Sequence, residues 1–144
     1  MTKVSDLIRV KGHEVYSVQK GTAVAAAAQK FLDTGVSSLL VCDLENVSGI
    51  FTKNDLVRCC SRREPDLWNQ PVEKFMSSDL FTAPPDADLA AVFDEMVQRD
   101  HGHVPVVKDG RAVGMITQVD ILLHQKKIAD FENKELVRYI QGHY

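Results

Sequence analysis

Two segments of this 144-residue chain carry the side chains best suited to holding a small polar ligand. GIFTKND (49–55) and GMITQVD (114–120) share Gly, Thr and Asp at the same offsets. An ionised Asp is an acceptor with two oxygens, so it can take a hydrogen bond from each of two neighbouring hydroxyls, such as those of a ribose. A Thr at the start of the same helix adds a hydroxyl, beside free backbone N–H groups that favour anions. Thr52, Asp55, Thr117 and Asp120 are therefore candidate sugar and phosphate ligands. The same T-x-x-D spacing is close to a capping box, in which Thr and acid satisfy each other's backbone N–H groups. Gly49 and Gly114 mark places where the backbone must approach something closely, ligand or sheet.

The elements that must position these residues are written twice. Sliding the chain by 65 residues aligns 15–57 with 80–122 without a gap, the mark of an internal repeat. Ala25/Ala90, Ala26/Ala91, Val41/Val106, Gly49/Gly114, Thr52/Thr117 and Asp55/Asp120 are identical, and Val15/Leu80, Tyr16/Phe81, Val24/Leu89 and Ile50/Met115 keep the apolar pattern. EVYSV and DLFTA read as short strands, each followed by turn residues, Gly21-Thr22 or Pro84-Pro85-Asp86. Val24, Ala27, Ala28, Phe31 and Leu32, and later Leu89, Val92, Phe93, Met96 and Val97, fall at helical spacing and predict one apolar face each. Gly35 is placed to stop the first of these helices. SLLVCD and HVPVVKDG predict buried strands, VSGIF and AVGMI the strands that follow, and TKNDLVRCC and TQVDILLHQKK a return to helix.

The unit is β-α-β-β-α, twice. One copy has a small core, so the expected fold is α+β, with two repeats packed sheet to sheet in pseudo-two-fold symmetry and a cleft between them. VSDLI (4–8) and VEKFM (72–76) read as lead-in helices. The expected divisions are 1–63 for repeat one with its lead-in helix, 64–124 for the connector and repeat two, and 125–144 for a C-terminal helix. Ile128, Phe131, Leu136, Tyr139 and Ile140 lie along one side of that helix and suit a homodimer contact.

Composition excludes several classes of function. A formal charge of −3 with scattered Lys and Arg leaves no basic footprint for nucleic acid. The longest apolar runs, such as AVAAAA at 23–28, fall far short of the roughly 20 residues a bilayer span needs, so no membrane role is expected. MTKVSDLIRVKG carries charges where a secretory signal needs an apolar run. Cys42, Cys59 and Cys60 are an odd set without C-x-x-C spacing, which fits reduced thiols and a cytoplasmic location.

The order of elements, the strand motif Val104-Pro105-Val106 and both copies of G-h-h-T-x-x-D resemble tandem CBS domains, named after cystathionine β-synthase, over nearly the whole chain. The final helix, ending in YIQG, is similar to that of small stand-alone bacterial members. The resemblance implies a regulatory module that binds an adenosine-containing ligand (AMP, ADP, ATP, NAD or S-adenosylmethionine), usually forms homodimers and catalyses nothing. It also implies base recognition by Ser17, Val18, Ser38 and Leu39 in copy one and by Thr82, Ala83, Pro84, His103 and Val104 in copy two. Lys53, Arg58, Arg99 and His101 are the candidate phosphate contacts, along with His103. The chain departs from the family in having Gly102 where a basic residue often precedes the strand His, and Thr52-Lys53-Asn54-Asp55 where many members carry T-E-R-D.

Two other chemistries compete with this reading. His101 and His103 would share one face if both lay on a strand, yet a metal needs three or four converging ligands and the pair supplies half at most. No nucleophile motif such as G-x-S-x-G supports catalysis. The vicinal Cys59-Cys60 pair is expected to split, one thiol packed in the core and one near the surface. A dimeric scaffold with empty clefts is the remaining alternative to the ligand-binding module.

Overall fold

The computed structural model describes residues 1–142; residues 143 and 144, the end of the expected C-terminal helix, lie outside the described residues. In chain order the elements are α1 (Val4–Lys11), β1 (Ser17–Gln19), α2 (Val24–Thr34), β2 (Ser38–Asp43), β3 (Asn46–Thr52) and α3 (Lys53–Ser61). Two short 3-10 turns follow, Leu67–Asn69 and Val72–Lys74, and then α4 (Leu89–Arg99), β4 (His103–Lys108), β5 (Arg111–Thr117) and α5 (Gln118–Gly142). The architecture is α+β, with a β-α-β-β-α unit in the first half and α-β-β-α in the second.

The two copies share one topology. β1 runs parallel to β2, and β2 pairs antiparallel with β3, with Ser38 opposite Thr52. In the second copy β4 pairs antiparallel with β5, with His103 opposite Thr117. The expected strand at DLFTA shrinks to a single parallel bridge between Ala83 and Val106. Pro84 and Pro85 follow at once and lack backbone donors, so no ladder can continue there. VEKFM likewise forms only the short turn Val72–Lys74 in place of a lead-in α-helix.

Helix ends and faces follow from local chemistry. Gly35 closes α2 at φ 75°, its N–H reaching Phe31 O, and Asp100 closes α4 at φ 55°. Val24, Ala27 and Phe31 are buried along α2, as are Leu89, Val92 and Met96 along α4. Leu32 and Val97, expected on the same faces, point outward. Each sits one residue past the buried row, about 100° around the helix.

The lead-in segments are exchanged between the copies. Val4, Leu7 and Ile8 of α1 join the core of the second copy, beside Leu89, Met96, Val104 and Ile116. Leu67 and Val72, with Phe75 and Met76 against them, join the core of the first, beside Val24, Phe31, Leu39 and Phe51. The backbone repeats the exchange: Val4 N donates to Ala87 O and Leu89 N to Thr2 O, while Val72 N donates to Thr22 O and Val24 N to Gln70 O. Divisions at 63 and 64 therefore follow the order of the chain, whereas each core draws on both halves. The division at 124 and 125 falls inside α5, because no Gly or Pro interrupts 118–141 and the motif helix and the C-terminal helix are one.

Candidate functional site

Both T-x-x-D motifs open a helix as capping boxes. In copy one, Thr52 N donates to Asp55 Oδ2 at 2.8 Å, Thr52 Oγ1 donates to the same oxygen at 3.0 Å, and Asp55 N donates back to Thr52 Oγ1 at 3.2 Å. Asp55 is buried, and its other oxygen, Oδ1, accepts from Arg58 Nη1 at 3.0 Å. The cap orients the carboxylate and Arg58, one turn along α3, occupies the oxygen the cap leaves over.

Copy two repeats the cap and changes the cation. Thr117 N donates to Asp120 Oδ2 at 2.9 Å, and Asp120 N donates to Thr117 Oγ1 at 3.1 Å. The cation is Lys11, from the end of α1, whose Nζ donates at 2.5 Å to Asp120 Oδ2 and at 2.5 Å to Met115 O. Burial works to raise the Asp120 pKa, but the Lys11 hydrogen bond and the Thr117 donors outweigh it and hold the carboxyl below the usual range. Lys11 was absent from the sequence-level site. Its only signal there was its position at the end of a lead-in segment, and nothing local says that this segment crosses to the other copy.

Two clefts lie between the copies. Cleft one, about 360 Å³, is lined by Thr52, Lys53, Asp55 and Arg58 of copy one and by Asp79, Leu80, Phe81, His101, Gly102 and His103 of copy two. Cleft two, about 320 Å³, joins Thr117 and Met115 of copy two to Lys11, Glu14, Val15, Tyr16, Val36, Ser37 and Ser38 of the first half. Each cleft thus combines the motif of one copy with the first segment of the other. Both volumes fall within the roughly 300–1,000 Å³ usual for small-molecule sites. His103 and Ser37 line both clefts, and Ser37 Oγ lies 2.9 Å from His103 Nε2 in the wall they share. Burial, with help from the Lys11 charge, lowers the His103 pKa, against an opposing pull from Asp120.

Thr52, Asp55, Thr117, Lys53, Arg58, His101, Ser38 and His103 border the clefts, and Asp120 sits beside cleft two through its bonds to Lys11 and Thr117. Most of the base-reading set does not. Leu39, Val104 and Ala83 are core residues, Val18 packs against the first core, Ser17 lines a separate hollow with Cys42 and Leu44, and Thr82 and Pro84 are exposed away from both clefts. The residues that face the clefts lie just upstream, Val15 and Tyr16 and their repeat partners Leu80 and Phe81. The chain passes the cleft before it joins the sheet, and once in the sheet its side chains serve the core. Arg99 is outside cleft one, ion-paired to Glu95 at 2.9 Å and 5.1 Å from the centre of the Phe81 ring.

The metal alternative loses its geometric basis. His101 precedes β4, so strand alternation does not align it with His103, and among the described residues no group of three His, Cys, Asp or Glu converges. Cys59 is buried and Cys60 exposed, a division of the vicinal pair between core and surface. Among the described residues no helix is long and apolar enough to cross a membrane.

Comparison with known proteins gives one consistent result. The family model described as CBS domain matches residues 4–62 and 72–127. An uncharacterized 17.7 kDa protein of Acidianus ambivalens is 33% identical over 83% of this chain and 71% of its own length. The A-adding tRNA nucleotidyltransferase of Aquifex aeolicus is 28% identical over 74% of this chain, a match that spans 13% of that larger protein. Among solved structures, a CBS-domain containing protein from Agrobacterium tumefaciens superposes with a TM-score of 0.80 at 26% identity, covering 86% of this chain and 99% of that one. A CBS domain pair solved with 5′-methylthioadenosine and S-adenosyl-L-methionine superposes at 0.76 with 24% identity over 88% of this chain and 98% of that one. CBSX2 solved with AMP superposes at 0.77 with 18% identity over 90% and 99%.

Proposed function

We propose, from the premise that this chain belongs to the CBS-domain family, that it is a regulatory module whose two inter-copy clefts bind adenosine-containing ligands. The observation that carries the reading is the pair of capped carboxylates, Asp55 and Asp120, each held by a Thr at the edge of a cleft of suitable size. The capping box and the ribose clamp are compatible. The cap uses Oδ2 of each Asp; Oδ1 of Asp120 remains to meet a sugar hydroxyl, and Oδ1 of Asp55, which Arg58 holds, keeps a second acceptor site. Val15 and Tyr16, or Leu80 and Phe81, supply apolar surface for a base face. That proteins of the same fold were solved with AMP and with S-adenosyl-L-methionine supports the ligand class.

The ligand is AMP, ADP, ATP, NAD or a related adenosine compound, and the response it serves is to energy or redox state. Regulation follows from differential affinity: a ligand touching both copies favours one relative arrangement of them, and only that difference can alter a partner contact. The partner is a second copy of the chain through α5, together with a target protein. Catalysis is not part of the proposal, and the setting is cytoplasmic.

Calorimetric titration of the full chain with AMP, ADP, ATP, NAD and S-adenosylmethionine tests the reading, repeated with 2′-deoxy analogues. Saturable binding that weakens for the deoxy compounds and for Asp55→Ala or Asp120→Ala supports it, since each change leaves a hydrogen-bonding group without its partner. No saturable binding to any of them would leave the dimeric scaffold, for which the exposed apolar residues of α5 already speak.

A further inference from the structure

The 65-residue repeat makes the two clefts comparable position by position. Glu14 answers Asp79, Val15 and Tyr16 answer Leu80 and Phe81, and Thr117 and Asp120 answer Thr52 and Asp55. Against that common frame the charged positions differ. Cleft one is lined by Lys53 and Arg58, where the second copy has Gln118 and Leu123. His101 and His103 line its far side; cleft two shares His103, and the repeat partners of the two are Val36 and Ser38. The repeat partners of Lys53, Arg58, His101 and His103 are thus all neutral, and the cation of cleft two, Lys11, lies outside the repeat and is committed to Asp120 and Met115 O.

The cations also behave differently toward the carboxylates. Arg58 takes Asp55 Oδ1, the oxygen the cap leaves over, and its side chain is 58% exposed. A ribose reaching Asp55 must therefore displace or share the guanidinium. Lys11 instead joins the cap on Asp120 Oδ2 and is held a second time by Met115 O. It leaves Oδ1 of Asp120 to an incoming diol.

We infer that the clefts select different adenosine compounds: cleft one takes a 5′-phosphorylated nucleotide, with Arg58 exchanging Asp55 for the phosphate, and cleft two takes a nucleoside without regard to phosphate. This rests on the adenosine-binding reading above and adds to it the chemical class that each cleft accepts. A phosphate repays the loss of the Arg58–Asp55 bond with a charge-assisted bond of matching geometry, which a nucleoside lacks. The repeat partner of Arg58, Leu123, lies with Lys11 and Asp120 in the hollow beside cleft two and has nothing to offer a phosphate.

Titration with AMP and with adenosine reads this directly. Asp120→Ala isolates cleft one and is expected to bind AMP roughly tenfold or more tightly than adenosine, the ratio one charged hydrogen bond supplies. Asp55→Ala isolates cleft two and is expected to bind both within about threefold of each other. Adding Arg58→Leu to Asp120→Ala removes the preference, and adding Leu123→Arg to Asp55→Ala creates one. Arg58 and Leu123 are exposed, so these two exchanges spare the core, and Arg58→Leu in the otherwise native chain reads the same loss should Asp120→Ala fail to fold. Equal binding of AMP and adenosine by Asp120→Ala, or a preference that survives Arg58→Leu, overturns the inference while leaving adenosine binding intact. A native chain that binds neither compound overturns both.

Discussion

Gly114 lies against Ile8: a Cβ at Gly114 would come within 2.6 Å of Ile8 Cδ1. Gly49 stands in the same relation to Met76 and to Ser77 O, which its Cβ would meet at 2.8 Å. The motif glycines are thus required by the exchanged lead-ins, each of which crosses to the opposite sheet and seats a side chain on the missing Cβ. What the glycine backbone approaches is this crossing segment.

Gly→Ala at these positions should therefore destabilise the fold by overpacking, by about 1–3 kcal/mol. Gly49→Ala should cost more, because Ser77 O is backbone and bonds Ile50 N at 2.9 Å, whereas Ile8 Cδ1 is the tip of a side chain. Ile8→Val, which deletes that tip, should recover part of the loss in Gly114→Ala and none in Gly49→Ala. Urea denaturation of the four variants decides it.

Lys11→Met should lower stability near neutral pH by about 1 kcal/mol, since the pair with Asp120 is partly exposed. The pH dependence carries a sign. The folded pKa of Asp120 is depressed, so its contribution is present above the unfolded value near 4 and is lost as pH falls through the folded value. The difference between native and Lys11→Met chains should be largest above about pH 4 and should shrink in stronger acid. A difference that stays constant down to acid pH would contradict the Lys11–Asp120 linkage.

His103 should titrate below its ordinary value, and Lys11→Met should move it upward, because the Lys11 charge is one of the two influences lowering it. Below about pH 6.5 the unfolded chain takes up this proton before the folded one does, so stability should fall as pH drops from there toward the folded value. NMR titration of the His103 ring proton in the two proteins checks the direction. No upward movement would show that Lys11 does not act on the shared wall of the clefts.

Leu136→Glu and Ile140→Glu place charge on the exposed part of α5. Sedimentation should show two chains for the native protein and one for the double variant, with monomer stability changed by no more than about 0.5 kcal/mol because both side chains are exposed. An unchanged mass would show that α5 makes no contact between chains.

Much of this protein is legible in short stretches. The cap at Thr52 and Asp55 spans four residues, and helix faces such as Val24, Ala27 and Phe31 repeat within two turns, so local spacing suffices to place them. The repeat itself then supplied the order of elements in both halves. Ser17, Val18 and Thr82, which only the family resemblance named as base contacts, show where local reasoning stops: a strand-like pattern tells which residues alternate, and not where along the strand the neighbouring copy opens a cleft.

Apart from the first strand of the second copy, the sequence by itself determined the repeated order of elements, the four motif side chains and the differences in charge between the copies, because each depends on neighbours a few residues away or on a direct comparison of the copies. Only the tertiary structure decided that α1 crosses to the second core, that Lys11 reaches Asp120 across 109 positions of chain, and that each cleft joins the motif of one copy to the first segment of the other. Those relations arise from burying one apolar face against another, and a buried face records that it needs a partner without recording which one.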